Sequence, residues 1–238
     1  MASEIELNSQ KKLLVMVDDL EKGNNSDREM HHRIFNQHYD VITKPNFNIL
    51  YTLPVYFRGL SDKRIRTDDI FSFPAVRLYE PNQKQQIKPK LDKESEGYKL
   101  IHEFIQKRIA KLDDIFAPDT LDDLILIGGG LFRETDSAIA QAADIALARD
   151  SEIIEQQDVN EVFTDIKIEY QPSIRDKELE LLAAVRDKEF GSVNDIEPLL
   201  QSGAVVEYEN GDIWLHIRYV LKAFVKQSLP KKEQIITS

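Results

Sequence analysis

The sequence predicts an α/β segment, then a run of helices, then a compact end made of two helices, a hairpin and a closing helix. Three observations carry this prediction. In "KKLLVMVDDLEKG" five apolar residues, Leu13 to Val17, run straight into Asp18 and Asp19, the pattern of a buried strand that delivers carboxylates to a sheet edge. From Gly97 the apolar residues change to helical spacing. Near the end, two alternating runs flank Asn210-Gly211, the strongest short hairpin signal. The boundaries implied are 1–95, 96–172 and 173–228, with a tail over 229–238.

Each element has its own signal. After Asp19 the polar loop "EKGNNSD" leads into a helix expected from about Arg28 to Tyr39. A second strand is expected in "FNILYTLPVYF", with Phe47, Ile49, Leu50 and Leu53 as its apolar content and Pro54 as its stop, because proline removes a ladder donor. "RGLSDKRIRTDD" is a charged loop, and "FSFPAVRLYEP" predicts a third strand closed by Pro81. In "GYKLIHEFIQKRIAKL", Leu100, Ile101, Phe104, Ile105, Ile109 and Leu112 form one stripe at i, i+3, i+4 spacing. "APDTLDDLILIGGG" predicts a short helix with Asp119 or Thr120 near its N-cap and a glycine stop. In "LFRETDSAIAQAADIALARD", Ala138, Ile139, Ala142, Ile145 and Ala146 form a small-residue face suited to close packing. "EQQDVNEVFTDI" predicts a further helix capped near Gln157 or Asp158. "RDKELELLAAVRD" and "SVNDIEPLLQSG" predict two helices, the second stopped by Gly203. The hairpin follows, with Tyr208 and Trp214 as its cross-strand core pair. "YVLKAFVKQ" closes what reads as a winged helix.

Composition narrows the function classes. The 238 residues suffice for one large domain or two smaller ones, and 42% hydrophobic with 31% charged residues fits a soluble globular chain. No apolar run approaches the ~18–20 residues needed to span a bilayer. The polar start "MASEIELNSQKK" shows no secretory signal, and the absence of cysteine excludes disulfides and thiolate metal sites. A cytoplasmic location is the expectation. A net charge of −11 disfavours nonspecific binding to nucleic acid or anionic membrane. Between Arg175 and Lys226 there are 7 Lys/Arg against 10 Asp/Glu, so this end is expected to pack on a protein surface and not to read DNA. His31, His32 and His38 share one predicted helix without a matching acidic partner, and no metal site is expected there.

Taken in order, these segments resemble the C-terminal part of a bacterial AAA+/STAND-type P-loop ATPase that carries a winged helix behind its lid. The resemblance rests on "LLVMVDD" as Walker B, "ILYTLP" as the sensor 1 strand, "IGGGLFRETDSAIAQAADIA" as the lid and sensor 2 helix, and "LLQSGAVVEYENGDIWLHIRYVLKAF" as the winged helix. It covers roughly Lys11 to Val225 and implies a partial P-loop NTPase sheet, an α-helical lid and a C-terminal winged helix. It also implies site roles. Asp18 would hold Mg²⁺, and Asp19 would polarise the attacking water. Aspartate there is one methylene shorter than the glutamate many AAA+ proteins use, and suits a slow switch. Thr52 would be the sensor 1 side chain near the γ-phosphate, and Arg133 the sensor 2 arginine folding over the phosphates of ATP. Gly128, Gly129 and Gly130 would let the chain turn tightly into the Arg133 helix. Arg64, with Arg58, Lys63 and Arg66, lies where related ATPases place an arginine finger for a neighbouring subunit. Without that order, Asp18 and Asp19 simply end a strand, Thr52 is a β-branched strand residue, and Arg133 and the charge run face solvent.

One part of the pattern is missing. No G-x-x-x-x-G-K-[ST] occurs in the chain, and the Gly128–Gly130 run is no phosphate loop because no Gly-Lys-Thr/Ser follows it. In the AAA+ order the absent strand lies between the sensor 1 strand and the next one, so its loss leaves open apolar edges. The expectation is an incomplete ATPase module, using ATP and Mg²⁺ only when a P-loop-bearing polypeptide or self-association completes it, and acting on a protein client. The alternative is a non-enzymatic adaptor that keeps the ATPase frame.

Overall fold

A computed structural model describes residues 11–18, 30, 33–45, 47–53, 71, 73–82, 86–188, 193–210 and 212–229. Helix predominates, with two small sheets. Where the sequence suggested boundaries at 95/96 and 172/173, compact packing divides the chain between Phe73 and Pro74.

In the first unit, β1 (Leu14–Val17) and β2 (Asn48–Tyr51) form a parallel pair, with Leu14 opposite Asn48 and Val17 opposite Tyr51. One face holds Val15, Val17, Ile49 and Tyr51, all partly buried. Phe35 covers it, meeting Tyr51 edge-on at 5.4 Å between ring centroids. On the other face Leu14 is 56%, Met16 62% and Leu50 42% exposed. The fully buried strand expected from the apolar run is therefore a half-buried one. The helix expected to Tyr39 is interrupted among its described residues. A π-helical turn, Arg33–Gln37, ends where the His38 N–H bonds Arg33 O, and α1 (Tyr39–Ile42) starts afresh.

Among the described residues of 71–81 no third strand forms. Residues 74–80 instead run as an extended strap in the second unit, where Ala75 makes a lone parallel bridge to Tyr208. Pro74 has no N–H to donate. The next two amides go to different partners, Ala75 to Glu207 O and Val76 to Gly130 O, so no ladder propagates.

The second unit is built around α4 (Thr120–Gly128), whose Leu124, Ile125, Leu126 and Ile127 are all buried. A helix apolar on every side needs cover on every side. That cover comes from α2 (Glu96–Gln106), α5 (Phe132–Ala148), α6 (Gln156–Tyr170) and α9 (Tyr219–Ser228), which share one core with it. Because α9 packs on both α4 and α6, the helical segment and the C-terminal elements form one body. Ala138, Ile139, Ala142 and Ala146 are buried as the small-residue face of α5 predicts. Leu100 departs from its predicted stripe: α2 buries Tyr98, Ile101 and Ile105, while Leu100 faces solvent.

α3 (Leu112–Ile115) is a single turn before α4. The cap of α6 lies two residues ahead of the first expected position, Gln157. Glu155 is its N-cap, and Asp158 sits in its first turn, accepting the Glu155 N–H at 2.7 Å. After α7 (Asp176–Asp187), the expected second helix is a 3₁₀ turn, Val193–Ile196, running into the short α8 (Glu197–Gln201) with Pro198 in its first turn. Gly203 has φ +73°, the left-handed conformation of a helix stop. β3 (Val205–Asn210) and β4 (Asp212–Ile217) are antiparallel, and Tyr208 lies opposite Trp214 with the rings stacked at 4.5 Å, as the alternation predicts. Among the described residues no helix is long and apolar enough to cross a membrane.

Candidate functional site

Asp18 follows the last residue of β1 and Thr52 the last residue of β2, so the parallel register places both at the carboxyl end of the sheet. The Thr52 amide bonds Val17 O at 3.0 Å, and its hydroxyl donates to Asp18 Oδ1 at 2.9 Å. The two residues singled out from separate motifs, 34 positions apart, thus form one hydroxyl–carboxylate pair. Such ends are where open α/β sheets bind ligands. The pair offers hard oxygen donors, which match Mg²⁺, an ion that keeps water and phosphate oxygens for its remaining positions. Among the described residues no group of three His, Asp or Glu is placed to hold a metal by itself. Asp19, Arg64 and its neighbours Arg58, Lys63 and Arg66 lie outside the described residues, as do His31 and His32.

Arg133 belongs to the second unit, exposed on the first turn of α5. The glycines before it do what the sequence predicts. Gly129 and Gly130 have φ of +64° and +81°, and a Cβ on Gly130 would stand 2.0 Å from the Val76 carbonyl oxygen. Gly128 lies against Thr135, whose Oγ1 would be 2.1 Å from an added Cβ. The turn therefore admits no side chain at two of its three positions, and it fixes where α5 starts. The Tyr208 hydroxyl closes the turn by donating to Gly129 O at 2.7 Å.

The next residue, Glu134, reaches a group that sequence reasoning missed. Its carboxylate accepts from Arg218 Nη2 at 2.8 Å, and Arg218 Nη1 donates to the Tyr170 hydroxyl. Arg218 is only 4% exposed. It therefore ties the first turn of α5 to the end of α6 and to the β4–α9 junction. A second buried polar cluster lies beneath the strap. The Tyr79 hydroxyl hydrogen-bonds His216 Nδ1, and Lys222 Nζ donates to Gln86 O at 2.8 Å. Burial raises the Tyr79 hydroxyl, pushes Tyr208 up to about 12 and draws the Lys222 amine down to about 7. The only sequence signal for these groups is negative. "LHIRYVLKAF" sets His216, Arg218 and Lys222 inside an apolar run where surface charges are not expected.

A cleft of about 570 Å³ opens on the same unit, lined by Lys93, Tyr98, His102, Gln106, Lys111 and Asp122 among others. Three of its polar groups form one cluster: Lys93 pairs with Asp122 at 2.5 Å, and the Tyr98 hydroxyl donates to the same carboxylate at 2.7 Å. Burial and that bond together raise the Tyr98 hydroxyl. No protein-family model, curated protein or solved structure matches the chain.

Proposed function

We propose that the chain is an incomplete AAA+/STAND-like ATPase module, a nucleotide-dependent switch that works only once a P-loop is supplied, either by further sequence of the same polypeptide or by a partner. The observation that carries this reading is the parallel β1–β2 pair, which ends in the Asp18–Thr52 bond and leaves Leu14, Met16 and Leu50 exposed. Parallel strands occur almost only in sheets covered on both faces, and two strands alone do not make a stable sheet. Among the described residues no third strand joins the pair, which supports reading it as part of a larger sheet. On this reading the Asp18 carboxylate would hold a nucleotide-bound Mg²⁺.

In the completed assembly ATP and Mg²⁺ supply phosphoryl-transfer chemistry, which is mainly positioning and charge stabilisation. Asp18 would hold the metal, and Thr52, which donates to that carboxylate, would fix its rotamer and serve as the sensor 1 residue. Asp19 would orient water, its short side chain suiting slow turnover. Arg133 would serve as the sensor 2 arginine, and Arg64 would serve a neighbouring subunit. The C-terminal hairpin and α9 act as a winged helix that contacts a protein client.

The test is calorimetry of the chain with Mg-ATP, alone and with a P-loop-bearing fragment. The expected result is no heat of binding alone, and saturable Mg-dependent binding in the complex that Asp18→Asn removes. Binding by the chain alone sinks the incomplete-module reading. If Asp18→Asn and Arg133→Ala leave the complex unchanged while surface changes on the hairpin do not, the chain is a non-enzymatic adaptor that keeps the frame.

A further inference from the structure

Lys222 has an unusual setting. It lies on α9, only 7% exposed, under the strap of the second unit. Its Nζ hydrogen-bonds the main-chain oxygen of Gln86 and stands 5.7 Å from the centre of the Tyr79 ring. Among the described residues no carboxylate is within ion-pair distance of it, and burial is the one cause that moves its proton affinity. The titratable groups around it are accounted for. Tyr79 of the strap is bonded to His216 of β4 and packs edge-on against Tyr208 of β3. Lys88, two residues beyond Gln86, pairs with Asp123 of α4 at 2.6 Å, and Tyr219 of α9 is coupled to that pair. Both oxygens of Asp123 are engaged, one by Lys88 and the other by Gln156 Nε2 at 3.1 Å.

The strap is fixed by Leu78, fully buried in the core, and by the Ala75 and Val76 backbone bonds. Gln86 to Lys88 are exposed, and among the described residues the side chains that hold them are Lys222, bonded to Gln86 O, and Asp123, paired with Lys88. We propose that Lys222 and the loop end over it, residues 86–88, form a proton-operated latch: neutral Lys222 stays beneath the closed loop, and protonated Lys222 opens it to reach water.

The direction follows from proton linkage. Closed, Lys222 titrates near 7; open to solvent, it titrates at its ordinary 10.5. Between those values the open form binds more protons, so closure strengthens as pH rises through that window and is weakest below about 7. An uncompensated buried ammonium drives opening because its hydration is lost in the closed form.

Hydrogen exchange of the Gln86, Ile87 and Lys88 amides in the full chain, corrected for intrinsic rates, tests this. At least about tenfold more opening is expected at pH 6.5 than at pH 9. The response should vanish in Lys222→Met, which keeps the shape without the charge, and protection there should be high at both pH values. A parallel NMR titration of the Lys222 side chain should show a midpoint near neutrality. Equal protection at both pH values, or a midpoint above pH 10, overturns the latch. A pH response that survives in Lys222→Met also overturns it and transfers the effect to His216 or to the Lys88–Asp123 pair.

Discussion

The two units of the chain use their apolar residues in opposite ways. In the second, Leu124, Ile125, Leu126 and Ile127 follow one another on a single helix and all are buried, because four other helices surround it. In the first, Leu14 and Met16 lie on a strand of similar apolar density and more than half of each is exposed. Apolar density alone therefore does not say whether a segment is finished. What matters is whether the described residues supply a layer for each face, and a parallel pair with one covered face lacks one. Among the described residues the second unit encloses its own core, while β1 and β2 keep one face open.

The sharpest way to break that comparison is to attack the second unit where it has no slack. Gly130→Ala places a Cβ against the backbone oxygen of Val76 at a left-handed φ. The main chain of the strap has to move, and the expected loss is about 3–4 kcal/mol, a fall in Tm of roughly 10 °C for a unit of this size. Thermal unfolding by circular dichroism reads it. A fall of under about 2 °C means that the strap is loosely held, and that the second unit is less self-sufficient than its core implies.

A smaller effect is expected at Asp158. Its carboxylate is fully buried, accepts two bonds from Arg149 and receives the Glu155 amide at the start of α6. Asp158→Ala removes the bond that returns to the Glu155 amide at the cap and leaves the Arg149 guanidinium without its main partner, for a loss of about 2 kcal/mol. The same bonds hold this carboxyl below its ordinary value, with the Arg149 hydrogen bonds the largest cause. A lowered carboxyl stabilises the fold above its unfolded pKa and loses that contribution as pH falls through the folded value. Wild type should therefore lose stability below about pH 4 more steeply than Asp158→Ala does. Equal acid slopes in urea titrations would mean that the pair adds nothing net.

What was legible in the sequence follows the same division. The hairpin, the Tyr208–Trp214 pair, the glycine turn and the small-residue face of α5 were all readable, because each is decided within a few residues by alternation, helical period or positive φ. Asp18 and Thr52 were singled out one at a time, and only the parallel register joins them. The strap was misread as a strand because "FPAVRLY" has strand composition, while the choice between ladder and lone bridge depends on where the Ala75 and Val76 amides find partners. For the Arg218–Glu134 pair and the buried Lys222 the local run shows only charges out of place among apolar residues, since their partners lie 84 and 136 positions away in the chain.

The smallest expected effect falls on the first unit and sharpens the comparison most. Leu14→Glu with Met16→Glu puts two charges on the open face of β1, where both side chains already meet water. Exposed substitutions of this kind usually change stability by under about 0.5 kcal/mol, so the unfolding curve of the chain alone should hardly move. The same change should abolish association with a P-loop-bearing fragment, because burying two carboxylates without partners is prohibitive. The Ile49 and Tyr51 face supplies the contrast. Ile49→Glu, on the partly buried side packed by Phe35, should disturb the first unit even without a partner. If instead Leu14→Glu/Met16→Glu unfolds the first unit by itself, that face is already covered within the chain. The parallel pair is then complete as it stands, and the case for a missing strand falls with the asymmetry that suggested it.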